Sequence, residues 1–180
     1  MRIERVWAMP NKWTFQIPPI ADLINEEMGE EQVNGHWIDP FAGMSTFAHI
    51  RNDLNPNTPA QFHTDALEFL QHQGLGRVFD GAFYDRPFSY RQASECYKKF
   101  GREHLTAQVT NNGYYAKCKD ILALIVKPEG KVISCGWNSE GMGKGRGFEL
   151  DRILLVAHGG GHNDTIVTVE TKIQHTLTRD

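Results

Sequence analysis

The sequence predicts an α/β fold in which a mostly parallel sheet, with helices on both faces, closes on an antiparallel β-hairpin near its C-terminal end. Short apolar runs typical of strands alternate with helical patterns between residues 17 and 137, and this alternation indicates strand–helix–strand units. Two β-rich runs then flank the stretch "HGGGHND" (158–164), which indicates a hairpin. No repeat or linker interrupts the sequence, so we expect one domain over residues 1–180.

The first half of the chain supplies predicted elements that end in polar residues. The stretch 17–28 has apolar residues at helical spacing, and its two leading prolines are tolerated at a helix start. The stretches 36–43 and 47–56 predict strands that run into loops. The stretch 61–73 predicts a brief strand followed by a helix that Thr or Asp caps.

The second half repeats the alternation. The stretch 78–85 predicts a buried strand, and 131–137 predicts another. Between them lies the clearest helical pattern, over 114–130, which the Pro and Gly at its end are expected to stop. The turn of the following hairpin explains His158 and His162, so we predict no metal site there.

Composition and charge narrow the function classes. Apolar and charged contents are ordinary for a globular protein, which argues against disordered and fibrous classes. No stretch approaches the roughly 20 apolar residues that span a bilayer, and the N-terminus lacks the pattern of a signal peptide. We therefore expect no membrane partner. Three widely spaced cysteines indicate a reducing cytoplasm rather than a disulfide framework.

A basic segment stands out against the formal net charge of −3. Residues 86–119 carry seven Lys and Arg against two Glu, a net charge of +5 that would attract phosphates. A glycine-rich loop at 141–147 adds two more cations. The alternative interpretation is a solvated helix face and a mobile loop. The candidate nucleic-acid contacts in the two segments are Arg91, Lys98, Lys99, Arg102, Lys144 and Arg146.

Four short motifs follow predicted strands in order along the chain: "IDPFAG" (38–43), "NDLNP" (52–56), "TDALEFL" (64–70) and "YDRPFS" (84–89). Together with "NKWTFQIPPIADLI" (11–24), they resemble the small phage and prophage DNA N6-adenine methyltransferases, which depend on S-adenosylmethionine. The resemblance covers nearly the full chain. It implies the Rossmann-like class I methyltransferase sheet, a cytoplasmic location in the host, and DNA as partner.

The resemblance also implies a cofactor site at the carboxyl ends of the strands, where ligands of open α/β sheets bind. By it, Asp53 would accept hydrogen bonds from the ribose hydroxyls, and Asp65 would meet the adenine amino group of the cofactor. The implied cofactor-binding residues are Phe15, Asp39, Pro40, Phe41, Ala42, Asp53, Leu54, Asp65 and Ala66.

The catalytic residues implied by the resemblance are Asp85, Arg86, Pro87 and Phe88. The family motif is Asp-Pro-Pro-Tyr or Asp-Pro-Pro-Phe, so an arginine stands here in place of the first proline. In the family, the carboxylate and the next backbone carbonyl accept the two N–H groups of the target amine, and the aromatic ring stacks on the base. The Arg86 guanidinium would either contact a phosphate of the target strand or pair with Asp85 and weaken it.

A second departure lies upstream. Only residues 44–51 separate the first cofactor motif from the second, whereas a parallel crossover usually needs a dozen or more. We therefore expect the first crossover helix to be missing or reduced to a turn. This leaves the cofactor cavity more open.

These features predict transfer of a methyl group from S-adenosylmethionine to the N6 amine of adenine in DNA. Residues 89–119 would have to recognise the target, or a second subunit would help, either another copy of this chain or a different partner. We expect short sequence specificity. The alternatives are an impaired methyltransferase that only binds cofactor or nucleic acid, an enzyme acting on cytosine N4, RNA or protein, and a nucleic-acid-binding module without cofactor.

Overall fold

A computed structural model describes residues 1–29 and 35–173. Within these residues seven strands form one sheet, in the order β1-β6-β7-β5-β4-β2-β3. The strands are β1 Arg2–Trp7, β2 Trp37–Asp39, β3 Ile50–Arg51, β4 Phe79–Tyr84, β5 Val126–Gly136, β6 Phe148–Ala157 and β7 Thr165–Lys172. The helices are α1 Pro18–Met28, α2 Ala66–Phe69, α3 Tyr90–Lys99, α4 Thr106–Val109 and α5 Asn112–Ile125.

The sheet is parallel except at β7, which runs antiparallel to both of its neighbours, β5 and β6. The predicted fold class and its C-terminal hairpin are therefore confirmed. Strand β1, which the sequence analysis missed, pairs with the outer edge of β6. Its side chains are mostly exposed, so it lacks the apolar alternation that marks a half-buried strand.

Two apolar clusters cover the two faces of the sheet. Strand β4 contributes to both, because its successive side chains point to opposite faces. Ala82 and Tyr84 pack with α2, α3 and α5, whereas Phe83 packs with α1. This burial on both sides fixes the position of Asp85, which follows directly after β4.

The predicted helix over 114–130 is too long at its C-terminal end. Helix α5 ends at Ile125, and β5 begins at Val126, which pairs with Phe79. Residues 128–130 form an irregularity inside the strand rather than a stop after a helix. The backbone comes so close there that a Cβ on Gly130 would lie 2.7 Å from the Asp80 carbonyl oxygen.

The first crossover has no helix, as expected from its length. Between β2 and β3 the chain turns through hydrogen bonds such as Ser45 N–H to the Ala42 carbonyl, 2.8 Å. The brief strand predicted near residue 61 is reduced to one parallel bridge between Asn52 and Phe62. The edge of the sheet where the cofactor motifs lie is therefore built from very short strands.

An ion cluster anchors α1 to the far side of the sheet. The guanidinium of Arg152, on β6, lies 2.6 Å from Glu4 of β1, and 2.8 and 3.1 Å from Glu26 and Glu27 of α1. Its side chain is 9 % exposed. Residues 11–17, which lie across the carboxyl ends of the strands, lead directly into this anchored helix.

Gly81 in β4 is required by packing, because a Cβ there would lie 2.5 Å from the ring of Trp37 on β2. We expect Gly81→Ala to lower the free energy of unfolding by about 2 kcal/mol or more, since neither the strands nor the buried indole can move apart cheaply. Urea unfolding measures this. Gly113→Ala, in α5, is the control and should stay within about 1 kcal/mol of the wild type. Equal losses in the two variants would contradict the packing argument.

Candidate functional site

A cavity of about 650 Å³ lies at the carboxyl ends of β2, β3 and β4. Residues 11–17, 40–47, 52–54 and 85–88 line most of it. Four separate stretches of sequence therefore meet at one place, which is where open α/β sheets bind their ligands.

Most of the predicted cofactor and catalytic residues lie in the wall of this cavity. They are Phe15, Pro40, Phe41, Ala42, Asp53, Leu54, Ala66, Asp85, Arg86, Pro87 and Phe88. Two predicted residues, Asp39 and Asp65, do not line it. Both are buried behind the wall.

Asp39 ends β2 and is fully buried. Its Oδ1 accepts a hydrogen bond from the Phe41 N–H at 2.9 Å, which shapes the turn into the cavity wall. Its Oδ2 is buried without a hydrogen-bond partner among the described residues. Burial, with smaller contributions from the charges of Asp85 and Asp53, raises the pKa of Asp39 to about 8.

Asn52, which the sequence analysis passed over, connects the three cofactor motifs. Its amide nitrogen donates to the carbonyl oxygens of Pro40 and Thr64, at 3.1 and 3.0 Å. Its amide oxygen accepts from the Thr64 N–H at 3.0 Å. The only sequence signal for this role was its position beside the predicted acid of "NDLNP".

Asp53 faces the cavity and holds the loop that replaces the crossover helix. Its Oδ2 accepts from the Gly43 N–H and its Oδ1 from the Asn55 N–H, both at 2.8 Å. Gly43 has φ +53°, and a Cβ on it would lie 2.9 Å from the ring of Trp13. Glycine is therefore needed both for the turn and for the close approach of Trp13. Partial burial raises the pKa of Asp53.

Asp65, predicted to meet the adenine amino group of the cofactor, is buried behind the cavity wall and is held by protein donors. Its Oδ1 caps α2 by accepting from two backbone N–H groups, at 3.0 and 3.1 Å. Its Oδ2 accepts from the hydroxyls of Tyr97 and Tyr114, at 2.7 and 2.8 Å. Because protein donors engage both oxygens, Asp65 acts as a buried structural group. The residues of this motif that face the cavity are Thr64 and Ala66.

Asp85 projects from the end of β4 into the cavity wall, and its Oδ1 is buried without a partner among the described residues. Burial raises the pKa of Asp85 to about 7, although a hydrogen bond with the Thr14 side chain opposes the rise. Thr14 belongs to the stretch 11–17, so the N-terminal segment touches the predicted catalytic acid. A carboxyl group with this pKa changes its charge near neutral pH.

The side chain of Arg86 turns away from Asp85. Its guanidinium carbon lies 4.6 Å from the centre of the Tyr115 ring, and its Nη1 donates to the Pro87 carbonyl at 2.9 Å. The described residues show no ion pair between Arg86 and Asp85. The alternative in which Arg86 neutralises Asp85 is therefore not the arrangement in this structure.

The start of α3 holds Phe88 in place. The Gln92 side chain accepts from the Phe88 N–H at 2.8 Å and from the Ser89 N–H at 3.2 Å, while the Ser89 hydroxyl accepts from the Gln92 N–H. This capping box fixes the chain just after the motif. The Phe88 ring meets Trp137 edge to face at 5.8 Å.

The six basic residues predicted to contact nucleic acid differ in their surroundings. Arg91 is exposed and pairs with Glu95 at 2.8 Å. The remaining residues of the first segment lie in the last turn of α3 or just beyond it: Lys98, Lys99 and Arg102. In the glycine-rich loop Lys144 is exposed, whereas Arg146 binds Asp120 at 2.7 Å. Arg146 is thus the most fixed of the six.

Metal ligation is not needed to explain His158, at the start of the hairpin turn. The two ring nitrogens of His158 lie 2.9 Å from the Ala8 carbonyl and 2.9 Å from the Thr165 hydroxyl. Across residues 1–29 and 35–173, no three His, Cys, Asp or Glu side chains come together as a metal site. In the same part of the chain, no helix is long and apolar enough to cross a bilayer.

Comparison with solved structures identifies the fold. TrmN from Thermus thermophilus has a TM-score of 0.56 and 15% identity over 87% of this chain and 49% of TrmN. A putative methyltransferase, yhhF from Escherichia coli, has a TM-score of 0.56 and 12% identity over 92% of this chain and 91% of that protein. A 1,6-didemethyltoxoflavin-N1-methyltransferase from Burkholderia thailandensis, solved with S-adenosylhomocysteine, has a TM-score of 0.59 and 11% identity, covering 87% and 77%.

These matches establish the Rossmann-like class I methyltransferase fold for this chain. The chain spans about half the length of TrmN. No protein-family model matches it, and no curated protein matches it. At these identities the comparison defines the fold, and function must be argued from the cavity itself.

The buried carboxyl of Asp39 makes stability depend on pH. With a pKa of about 8, against about 4 in the unfolded chain, the folded state binds more protons between these values. The free energy of unfolding should therefore fall as the pH rises through this window. Between about pH 5 and pH 8, the free energy of unfolding should fall less in Asp39→Asn than in the wild type. The difference between the two slopes should be at most about 1.4 kcal/mol per pH unit.

Urea unfolding at each pH measures the effect. Asp22→Asn, which changes an exposed carboxyl on α1, is the matched control and should keep the pH dependence of the wild type. The same pH dependence in Asp39→Asn and the wild type would show that Asp39 is not the group responsible.

Proposed function

We propose that the protein transfers a methyl group from S-adenosylmethionine to the exocyclic N6 amine of adenine in DNA. The observation that carries this proposal is the buried Oδ1 of Asp85, which has no hydrogen-bond partner in the part of the chain that the structure describes and lies at a cavity that the other motifs also line. The class I methyltransferase fold supports methyl transfer, and the motif around Asp85 supports an amine as the acceptor. The choice of adenine in DNA rests on the resemblance of the four motifs.

The residues of the cavity fit the proposed cofactor. Asp53 presents a carboxylate that accepts two N–H groups from the described residues, so lone pairs are left for ribose hydroxyls. Apolar surface from Phe15, Phe41 and Leu54 suits the less polar parts of such a ligand. When bound, S-adenosylmethionine supplies an electrophilic methyl group on a positively charged sulfur.

Asp85 would orient the acceptor and stabilise its charge. The lone pair of an adenine amine is delocalised into the ring, so the amine must be held in line and its developing positive charge stabilised. The Asp85 carboxylate and the Arg86 carbonyl would accept its two N–H groups. Pro87 keeps Arg86 out of the helical region, so the direction of this carbonyl does not require a proline at 86.

Phe88 would stack on the target base, which must leave the duplex to reach the cavity. Its ring lines the cavity, and the capping box of α3 holds its backbone. We further propose that the segment 89–119 contains the residues that recognise the target, alone or with a second subunit, and that sequence specificity is short. Action in a reducing cytoplasm remains part of this proposal.

A second candidate function is methyl transfer to another planar amine, such as cytosine N4, an RNA adenine or a protein amide. A carboxylate next to a backbone carbonyl suits each of these acceptors equally well. Labelled methyl transfer to DNA, RNA and protein, followed by mass spectrometry of the product, separates the candidates. Absence of transfer to any of them despite cofactor binding would support an impaired enzyme, and absence of cofactor binding would support a nucleic-acid-binding module.

Asp85→Asn should lower methyl transfer by about 100-fold or more, because a neutral amide stabilises positive charge poorly. Calorimetric titration should show cofactor affinity within a few-fold of the wild type. Asp53→Asn is the contrasting variant, because its main expected effect is a loss of cofactor affinity. If Asp85→Asn retains full turnover, the role proposed for Asp85 is wrong.

Arg86→Pro restores the family motif and tests whether the arginine impairs the site. Because Arg86 packs on Tyr115 and the described residues show no ion pair between it and Asp85, we expect turnover at saturating DNA and cofactor to change by less than about threefold. Single-turnover methylation measures this rate. A tenfold or larger increase would mean that Arg86 does weaken Asp85.

A further inference from the structure

A second cavity, of about 620 Å³, adjoins the first and shares Arg86 and Phe88 with it. Its walls carry three aromatic rings, those of Phe88, Tyr90 and Tyr115. Three cations also line it: Arg86, Lys119 and Arg146. Arg86 and Phe88 therefore form the partition between the two cavities.

Helix α5 directs two of these side chains into the second cavity. Tyr115 and Lys119 are four residues apart and so lie on the same face of the helix. The Lys119 side chain is only 9 % exposed, and its Nζ lies 5.6 Å from the centre of the Tyr84 ring. The nearby Lys117, on another face of α5, is exposed and does not line the cavity.

Positive charge in this cavity exceeds the negative charge around it. Glu140 is the one acid that the described residues place in its lining, where its Oε1 lies 3.4 Å from the Lys119 Nζ and 66 % of its side chain is exposed. Asp120, outside the lining, binds Arg146 at 2.7 Å, so three cations face two acids. Burial lowers the pKa of Lys119; the charge and hydrogen bond of Glu140 oppose this fall, and smaller contributions from the charges of Arg146 and Arg86 add to it. An anion in the cavity would relieve this repulsion.

Unsatisfied polar atoms lie in the same region. The hydroxyl of Tyr115, on the ring under Arg86, is buried without a hydrogen-bond partner among the described residues. The same holds for the Ser134 hydroxyl, which lines a smaller cavity of about 130 Å³ that shares Arg86, Phe88 and Lys119. Buried polar atoms usually find a partner, and these two belong to residues in the walls of the two cavities.

We infer that the second cavity binds a backbone phosphate of the DNA strand next to the target adenine, with Lys119, Arg86 and Arg146 as its cationic contacts. The identity of the ligand as DNA rests on the proposed function. The cations suit a phosphodiester, the rings suit the adjoining base, and the shared partition suits a continuous strand that enters both cavities.

This inference gives Arg86 a function. In the family motif a proline at this position offers no charge, whereas here the guanidinium stacks on Tyr115 at the edge of the second cavity. An arginine at 86 instead of proline would then make the motif less rigid but add a contact to the substrate.

The test is the salt dependence of DNA binding. The dissociation constant of a fluorescently labelled, adenine-containing single-stranded oligonucleotide is measured between about 50 and 200 mM NaCl, with S-adenosylhomocysteine present. In Lys119→Gln we expect about tenfold weaker binding and a logarithmic salt slope lower by about 0.7, the value for one lost phosphate contact on a single strand. Lys119→Arg should retain most of the affinity, and thermal unfolding checks that each variant is folded.

Lys117→Gln, with the same charge change two residues away, is the matched control and should leave the slope within error of the wild type. Equal slopes for Lys119→Gln and the wild type, or equal losses in Lys117→Gln and Lys119→Gln, would overturn the inference. So would failure of Lys119→Arg to restore binding while remaining folded.

Methyl transfer to DNA is measured separately on the same preparations. Transfer by the wild type together with an unchanged slope in Lys119→Gln would leave the proposed function standing and remove the phosphate site. No methyl transfer by the wild type, together with the expected loss of salt slope in Lys119→Gln, would support the phosphate site and contradict the proposed function. If the wild type does not bind the oligonucleotide at all, both proposals fail.

Discussion

The side chain of Asn52 is the contact on which the geometry of the first cavity depends. In a longer crossover a helix would hold the strand ends apart and in register, and here the chain has no room for one. The Asn52 amide instead connects the turn after β2 to the start of α2 through three hydrogen bonds. Each is worth only about 1 kcal/mol net, but leaving its partners buried and unpaired would cost more. Asp53 then holds the Gly43 turn beneath Trp13.

With this edge fixed, the sheet can bury acidic groups that a looser structure would hydrate. Asp39 and Asp85 each keep one oxygen without a hydrogen-bond partner within residues 1–29 and 35–173, and burial raises the pKa of both. Such groups oppose folding near neutral pH, because their ionised forms are poorly solvated. The apolar clusters on the two faces of β4 compensate by fixing the strand that carries Asp85. The site therefore combines a stable scaffold with an unfavourable local environment.

The sequence was sufficient to predict the features that follow from the order of its elements and the length of the segments between them. Alternating periodicities predicted the sheet, and the short stretch after the first motif predicted the missing helix. It was insufficient where contacts between residues far apart in the chain determine the role or the secondary structure of a residue. Asp65 looks like a cofactor ligand until Tyr97 and Tyr114, from two other helices, occupy its second oxygen. Val126 continues a helical pattern, yet pairing with Phe79 places it in a strand. The stacking of Arg86 on Tyr115 could not be foreseen for the same reason.

Strand β1 also determines when the site can be completed. Among the described residues it pairs with β6, in a register that places Arg2 beside Arg152, so β1 must wait for a strand that is synthesised much later. Contacts of such high sequence separation form slowly, because a long loop must close before they are made. The segment that carries Thr14 and Phe15 over the cavity lies between β1 and α1, both of which are tied to Arg152. During synthesis the nascent chain would therefore hold an open, unfinished cavity until its C-terminal hairpin had folded.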